Sequence, residues 1–153
     1  YCSLSISQMS KVQTQICISE QETLEWAAEL AAKLPRDKFF VYLEGELGAG
    51  KTTLVRGILR ALGCKTQVKS PTYTLVETYE LPGGLVHHFD LYRMEHPEEL
   101  EFMGGREYFD DGLCFVEWPQ KGRGWLPEPD LLISISVQGN ARHIAPYWQN
   151  SPA

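Results

Sequence analysis

The sequence predicts one α/β domain, in which helices flank a mixed and mainly parallel central sheet. Its 153 residues suffice for one domain with a sizeable core, and 43% of them are hydrophobic and 22% charged, as in ordinary globular proteins. Short apolar segments typical of buried strands alternate with segments of helical periodicity. A glycine-rich turn joins the most compact of these strands, residues 39–43, to the helix that follows.

The first part of the chain predicts a strand, a helix, a strand and a second helix, in that order. Residues 13–18 alternate as in a short strand. Ser19 then begins a helix, because Ser19 and Glu22 have the spacing of a capping box, and Pro35 ends that helix. The strand over residues 39–43 is followed by a helix over 52–62.

The second part predicts a hairpin and two further strands. Residues 74–81 and 85–91 are extended segments on either side of a Pro-Gly-Gly turn. Pro97 begins a short helix that Gly104 ends. We predict a buried strand over 113–116, a loop over 119–129, and a late strand over 131–137 for which an edge position is one option. Residues 1–10 are predicted to be a disordered or added extension, residues 11–148 the domain, and residues 149–153 a tail.

A complete phosphate-binding motif occupies the glycine-rich turn. The run Gly45-Glu46-Leu47-Gly48-Ala49-Gly50-Lys51-Thr52 matches GxxxxGK[ST] at every fixed position. Its glycines allow a tight turn with N–H groups directed at phosphate oxygens, and the following helix adds the positive end of its dipole. Lys51 supplies a mobile cation for the β- and γ-phosphates, and the Thr52 hydroxyl is a hard ligand for Mg²⁺. The sequence therefore predicts a P-loop NTPase.

Two acids at strand ends are candidates for the metal-side carboxylate that a P-loop NTPase needs. Glu117 follows a purely apolar strand, and Asp90 ends the second strand of the predicted hairpin. We assign Glu117 to the metal because its strand is the more hydrophobic, and Asp90 to positioning the attacking water. A solvated strand end is the alternative for either acid. Thr72, in a hydroxyl-rich segment, either reaches the γ-phosphate or metal or belongs to an ordinary Pro-containing turn.

The other metal-ligating residue types do not predict a metal site. His87 and His88 are adjacent on a strand and point to opposite faces, so we predict structural roles for both. The four cysteines, at positions 2, 17, 64 and 114, lack zinc-module spacing and are predicted to be free thiols. We expect a cytoplasmic location, because no apolar run approaches the length of a membrane span and no secretion signal is found.

Charge is unevenly placed along the chain. The net charge of −6 disfavours strong binding of nucleic acid by this chain alone. Arg56 and Arg60 share one face of the P-loop helix, and we predict that a protein partner docks there. The acidic residues within 95–111 form a second possible contact, and a solvated face is the alternative for both.

Four strings of residues together resemble the TsaE family, also called YjeE. They are the P-loop run over residues 45–53, VKSPTYTL at 68–75, HFDLYR at 88–93 and VEWP at 116–119. The resemblance covers roughly residues 16–137, while the segment from Gly139 onward matches poorly.

This resemblance implies a small bacterial ATPase of the tRNA threonylcarbamoyladenosine pathway. Such proteins bind ATP and Mg²⁺, hydrolyse ATP slowly alone, and support turnover of TsaB and TsaD, which transfer a threonylcarbamoyl group to the adenosine beside the anticodon. By motif position, Lys51, Thr72 and Asp90 are implied as catalytic residues and Thr52 and Glu117 as metal ligands. The implied nucleotide-binding set is Glu20, Thr23, Gly45, Glu46, Leu47, Gly48, Ala49, Gly50, Lys51, Thr52, Thr53 and Trp118.

Two other functions remain open from the sequence. A small-molecule kinase also pairs a P-loop with a short chain, but it needs an acceptor pocket and usually a lid carrying several arginines. After residue 90 only Arg93, Arg106, Arg123 and Arg142 remain, and they are scattered. The second alternative is a nucleotide-gated protein-binding module without turnover.

Overall fold

In the computed structural model, which describes residues 9–150, helices lie on both faces of an eight-stranded sheet. The strands are β1 (Ser10–Lys11), β2 (Gln15–Cys17), β3 (Phe39–Glu44), β4 (Val76–Leu81), β5 (Gly84–Asp90), β6 (Leu113–Glu117), β7 (Leu131–Gln138) and β8 (Ala141–Trp148). The helices are α1 (Glu20–Ala31), α2 (Lys51–Ala61), α3 (Glu99–Phe102) and α4 (Gly105–Phe109), with a 3₁₀ helix at Pro119–Gly122. Most of the predicted extension over residues 1–10 lies outside the described residues, as do residues 151–153 of the predicted tail.

The strand order is β1–β8–β7–β3–β6–β5–β4, and β2 also pairs with β8. The central strands β7, β3, β6 and β5 are parallel to one another, whereas β4, β8, β1 and β2 pair in antiparallel fashion at the two sides. The predicted α/β class is confirmed. The edge option for residues 131–137 is wrong, because β7 lies between β3 and β8 and pairs with β8 along its whole length.

Strand β8 was not expected from the sequence, because Pro146 interrupts its pattern. The Pro146 carbonyl accepts a hydrogen bond from Val12 N at 3.1 Å, so the proline nitrogen faces the β1 and β2 side of the strand. On that side β2 reaches Ile144 and β1 resumes at Tyr147. The missing N–H of Pro146 therefore falls in the gap between two pairing strands and removes no bond from the ladder with β7.

Two apolar cores lie on the two faces of the sheet. Val41, Leu43 and Phe115 pack on the face covered by α1 and α2. Tyr42 and Phe89 belong to the other core, with Leu100 of α3 and the partly buried rings of α4. Because side chains alternate along a strand, this division decides which residues near the strand ends can meet α2.

Helix α1 begins as its capping pattern predicts. The Ser19 side chain accepts a hydrogen bond from Glu22 N at 3.1 Å. The Glu22 carboxylate in turn accepts from Ile18 N at 3.2 Å, one residue before the cap. The predicted helix after Pro97 is present as α3, and it ends before Gly104, at φ 77°, as predicted; the separate helix α4 that begins at Gly105 was not predicted. No helix within residues 9–150 is long and apolar enough to cross a membrane.

Gly57 allows α1 and α2 to approach closely. A Cβ atom at position 57 would lie 2.8 Å from Ala27 Cβ and 2.9 Å from Leu24 Cδ2. Real Cβ atoms do not approach other atoms so closely, and the alanine neighbour has no side-chain torsion with which to yield. The close contact fixes α2, which carries the P-loop lysine, against α1.

Replacing Gly57 with alanine tests this contact. Alanine gains about 1 kcal/mol of helix propensity over glycine, and overpacking a core costs typically about 1–3 kcal/mol. We expect the clash to prevail and the free energy of unfolding in urea to fall by about 1–2 kcal/mol. Arg60→Ala, at an exposed position of the same helix, should change it by less than about 0.5 kcal/mol. An unchanged or raised stability of Gly57→Ala would show that the two helices separate without cost.

Candidate active site

The P-loop lies where β3 ends and α2 begins, at the carboxyl edge of the parallel strands. Gly50, at φ 106°, is the N-cap of α2, and no side chain caps this helix. A side chain at Gly45 would place its Cβ atom 2.6 Å from the Ile135 carbonyl oxygen, so the loop packs directly on β7. Glycine is required at both positions, at Gly50 for the left-handed conformation and at Gly45 for the close approach.

Lys51 is held at the centre of the loop. Its Nζ donates to the carbonyl oxygens of Gly45, at 2.6 Å, and Glu46, at 3.0 Å, and lies 4.3 Å from the centre of the Trp118 ring. Burial lowers the pKa of Lys51, an effect that the nearby carboxylates of Glu117 and Asp90 oppose. The ammonium is therefore oriented by backbone carbonyls and an aromatic face, with two acids beside it.

Glu117 and Thr52, the two residues predicted to bind a metal, lie next to each other. The Thr52 hydroxyl lies 3.0 Å from Oε2 and 3.2 Å from Oε1 of Glu117. Glu117 is only 2% exposed, and its Oε2 is also 2.5 Å from Nε2 of the fully buried His88. The end of β6 thus brings a buried carboxylate to the first turn of α2.

Asp90 and Thr72 form a second pair beside the first. The Thr72 hydroxyl donates to Asp90 Oδ2 at 3.1 Å, and Tyr92 N donates to Asp90 Oδ1 at 3.0 Å. Ser70 Oγ lies 2.8 Å from the Thr72 hydroxyl and extends this chain of polar groups. Burial is the largest influence on the Asp90 carboxyl and raises its pKa, and the charge of Glu117 adds to that effect.

Trp118 closes one side of the site in an unusual backbone conformation. Its φ of 59° and ψ of 50° are left-handed, which is rare for a bulky residue. The indole ring stacks at a tilt on Tyr92, with ring centres 4.9 Å apart, and its face covers the Lys51 ammonium. Such outliers persist where the surrounding contacts enforce them, which is common at functional sites.

Two clefts meet across the P-loop. One, of about 250 Å³, contains the polar pairs and is lined by Leu47, Gly48, Gly50, Lys51, Thr52, Thr53, Thr72, Asp90, Glu117 and Trp118. The other, of about 290 Å³, is lined by Cys17, Ile18, Ser19, Glu20, Thr23, Gly48, Ala49, Gly50, Thr53, Ile135, Asn140, Arg142 and Ile144. Because Gly48, Gly50 and Thr53 line both, the clefts form one elongated site on the two sides of the loop.

The structure brings most predicted site residues to these clefts, including Glu20 and Thr23 on the second one. Gly45 and Glu46 line neither, but their carbonyls hold Lys51. The sequence did not assign Arg142 to the site; its Nε lies 3.6 Å from the position that a Cβ atom at Gly50 would take. Only the pairing of β8 with β7 brings it there, and no local signal in the sequence reveals that pairing.

The donor set of the first cleft suits a hard divalent cation held partly by phosphate. Within residues 9–150, no group of three or more His, Cys, Asp or Glu side chains is arranged to hold a metal. Mg²⁺ is commonly bound by one or two protein oxygens together with substrate phosphates and water. The Thr52 hydroxyl and the Glu117 carboxylate fit that description, and Lys51 lies close enough to both acids for their charges to affect its pKa.

Comparison with known proteins assigns the family. The family model described as "Threonylcarbamoyl adenosine biosynthesis protein TsaE" matches residues 17–144. The chain belongs to the TsaE family. The Haemophilus influenzae protein named "tRNA threonylcarbamoyladenosine biosynthesis protein TsaE" is 56% identical over 119 residues, covering 76% of this chain and 75% of that protein. The Bacillus subtilis TsaE protein is 40% identical over 114 residues, covering 74% and 71% of the two chains.

A solved structure shares the fold. The crystal structure of Bacillus subtilis YdiB superposes with a TM-score of 0.74 at 29% identity, covering 93% of this chain and 88% of that one. The family model matches the chain up to residue 144 and therefore includes Arg142. The four sequence strings had extended the resemblance only to about residue 137.

The buried carboxyl of Asp90 predicts a pH-dependent gain in stability for Asp90→Asn. A raised pKa means that the folded state favours the proton, so wild-type stability declines as the pH rises through the pKa of unfolded Asp and then that of folded Asp90. The amide removes this cost and can keep both hydrogen bonds, since the Thr72 hydroxyl can accept instead of donate. We expect a higher free energy of unfolding than wild type at pH 7 and no such gain near pH 3.

Urea unfolding at both pH values measures this effect. Asp110→Asn, at an exposed carboxyl, is the matched control and should follow wild type at each pH. A less stable Asp90→Asn protein at pH 7 would mean that the charged form of Asp90 stabilises the fold.

Proposed function

We propose that this TsaE-family chain is a Mg²⁺-dependent ATPase that serves tRNA threonylcarbamoyladenosine biosynthesis. One observation carries the proposal: a hydroxyl–carboxylate pair, Thr52 with Glu117, and a second one, Thr72 with Asp90, converge beside the P-loop lysine. A site that only bound phosphate would not need two buried acids, because their charge opposes that of the ligand. Two acids near one lysine fit a site that handles a metal and a nucleophile.

The two clefts suit the two ends of ATP. The first would hold the phosphates, with the uncapped N-terminus of α2 and Lys51 as the positive groups. The second would take the base and ribose, and Glu20, Thr23 and Arg142 supply its polar lining. The shared residues Gly48 and Gly50 would lie beneath the point where sugar and phosphates join.

The two acids would have separate tasks. Glu117 and Thr52 would hold Mg²⁺, which when bound neutralises charge on the phosphate oxygens. Asp90 would hold the attacking water, because its Oδ2 is fixed by Thr72 and its Oδ1 by the Tyr92 amide. Its raised pKa makes the buried Asp90 a better proton acceptor than an ordinary aspartate.

The relatives' names, rather than any contact in the structure, support the tRNA pathway. We propose that TsaB and TsaD are the protein partners, that the complex acts in the cytoplasm, and that ATP hydrolysis supports its turnover. The net charge of −6 favours a protein partner over direct contact with tRNA phosphates. Arg56 is less available for docking than the sequence indicated, because its guanidinium pairs with Glu20 of α1.

Removing the P-loop cation tests nucleotide binding. Lys51→Ala should weaken ATP binding about 10- to 100-fold, since a hydrogen bond to a charged group contributes about 1.5–3 kcal/mol. Calorimetric titration with ATP and Mg²⁺ measures the affinity. Lys65→Ala, at an exposed lysine, should bind as wild type does. Wild-type affinity in folded Lys51→Ala would remove the P-loop assignment.

Separate substitutions of the two acids test their tasks. Glu117→Gln should make ATP binding much less dependent on Mg²⁺, because one of two protein ligands becomes a weaker one. Asp90→Asn should bind ATP with Mg²⁺ but release phosphate about 10²- to 10⁴-fold more slowly, the usual effect of losing a general base. Phosphate release with added TsaB and TsaD measures the second effect. The reverse pattern would exchange the two roles, and a phosphorylated acceptor in place of free phosphate would indicate a kinase.

A further inference from the structure

His88 contacts the carboxylate that the proposed function assigns to the metal. Its Nε2 lies 2.5 Å from Glu117 Oε2, and the Thr52 hydroxyl lies 3.0 Å from the same oxygen. The imidazole is fully buried and Glu117 is 2% exposed, so the contact is largely shielded from solvent. A buried hydrogen bond of this kind is stronger than one at the surface.

The direction of this hydrogen bond follows from its partners. An ionised carboxylate only accepts, so His88 must donate through Nε2–H. The other ring nitrogen, Nδ1, is buried and has no hydrogen-bond partner among the described residues.

The sheet register places His88 on the same side as the site. Asp90 pairs with Glu117 and His88 with Phe115 in the parallel β5–β6 ladder. Because side chains alternate, His88 and Asp90 share the face that α2 covers, whereas His87 lies on the other face beside Tyr108, at 5.1 Å between ring centres. The prediction that the two histidines point to opposite faces is confirmed.

We propose that His88 is a positioning residue that holds the Glu117 carboxylate in the orientation needed to share Mg²⁺ with Thr52. The inference rests on the proposed function. Hydrogen bonds to metal-ligating groups commonly orient them, and losing such a bond typically lowers metal affinity about 10- to 100-fold. Without His88, the remaining side-chain partner of Glu117 in the described structure is Thr52, the residue with which it would share the ion.

Two polar substitutions separate positioning from simple packing. In His88→Gln the amide nitrogen can occupy the place of Nε2 and donate to Glu117, whereas in His88→Asn the shorter side chain places its nitrogen near Nδ1. His87→Asn is the matched control, because His87 is also buried, bonds through Nδ1 to Thr78 at 2.8 Å and lies on the opposite face. Urea unfolding of each variant without metal reports the structural cost separately.

The test measures how Mg²⁺ tightens the binding of AMPPNP, a non-hydrolysable ATP analogue. His88→Asn should need about 10- to 100-fold more Mg²⁺ than wild type for half of the tightening, with unchanged AMPPNP affinity in EDTA. His88→Gln should stay within a few-fold of wild type, and His87→Asn should lose stability without changing the Mg²⁺ requirement. If His88→Asn does not fold, His88→Met, which also lacks the donor, takes its place.

Distinct results would overturn the inference and the function. A wild-type Mg²⁺ requirement in His88→Asn, or an equal defect in His88→Gln, would show that donation to Glu117 does not position the metal, while Mg²⁺-dependent binding by wild type would still support the proposed function. If wild type binds AMPPNP with no response to Mg²⁺, the proposed metal site fails and the role of His88 fails with it.

Discussion

The parallel pairing of β6 with β3 on one side and β5 on the other determines the geometry of the site. In this register Leu43, two residues before the P-loop begins, and Asp90 both align with Glu117. The three strand ends therefore present the phosphate loop, the metal-side acid and the second acid in one row. A slip of one residue would turn Glu117 to the face covered by α3 and α4, away from Thr52.

The same register makes the site costly to fold. Lys51, Asp90, Glu117 and His88 are all nearly buried, and none of these groups favours an apolar environment when charged. Hydrogen bonds from Thr52 and Thr72 and the mutual attraction of the lysine and the acids offset part of that cost. The part of the burial cost that is not offset lowers the pKa of Lys51 and raises the pKa of Asp90. The apolar cores on both faces of the sheet must therefore offset the unfavourable free energy of burying the charged groups of the site.

Much of this arrangement could be predicted from the sequence, because its signals are local. The P-loop string, the apolar strand before Glu117 and the hairpin that ends at Asp90 each identify themselves within a few residues. Contacts between distant segments could not be predicted in the same way. Arg142 reaches the site only because β8 pairs with β7. Pro146 interrupts the sequence pattern from which β8 could have been predicted. The pairing of Arg56 with Glu20 depends on how α1 packs on α2, and the charge pattern of the sequence does not predict that packing.

The indole of Trp118 adds an optical property to the site. Its face lies 4.3 Å from the Lys51 ammonium, and the emission of an indole responds to the electric field of a charge placed so close. Any displacement of the ammonium from the Gly45 and Glu46 carbonyls changes that field. The left-handed backbone at Trp118 and the stacked ring of Tyr92 hold the chromophore in place while the charge moves. Trp118 thus places an intrinsic fluorophore beside the Lys51 ammonium, where the position of the charge affects the field at the ring.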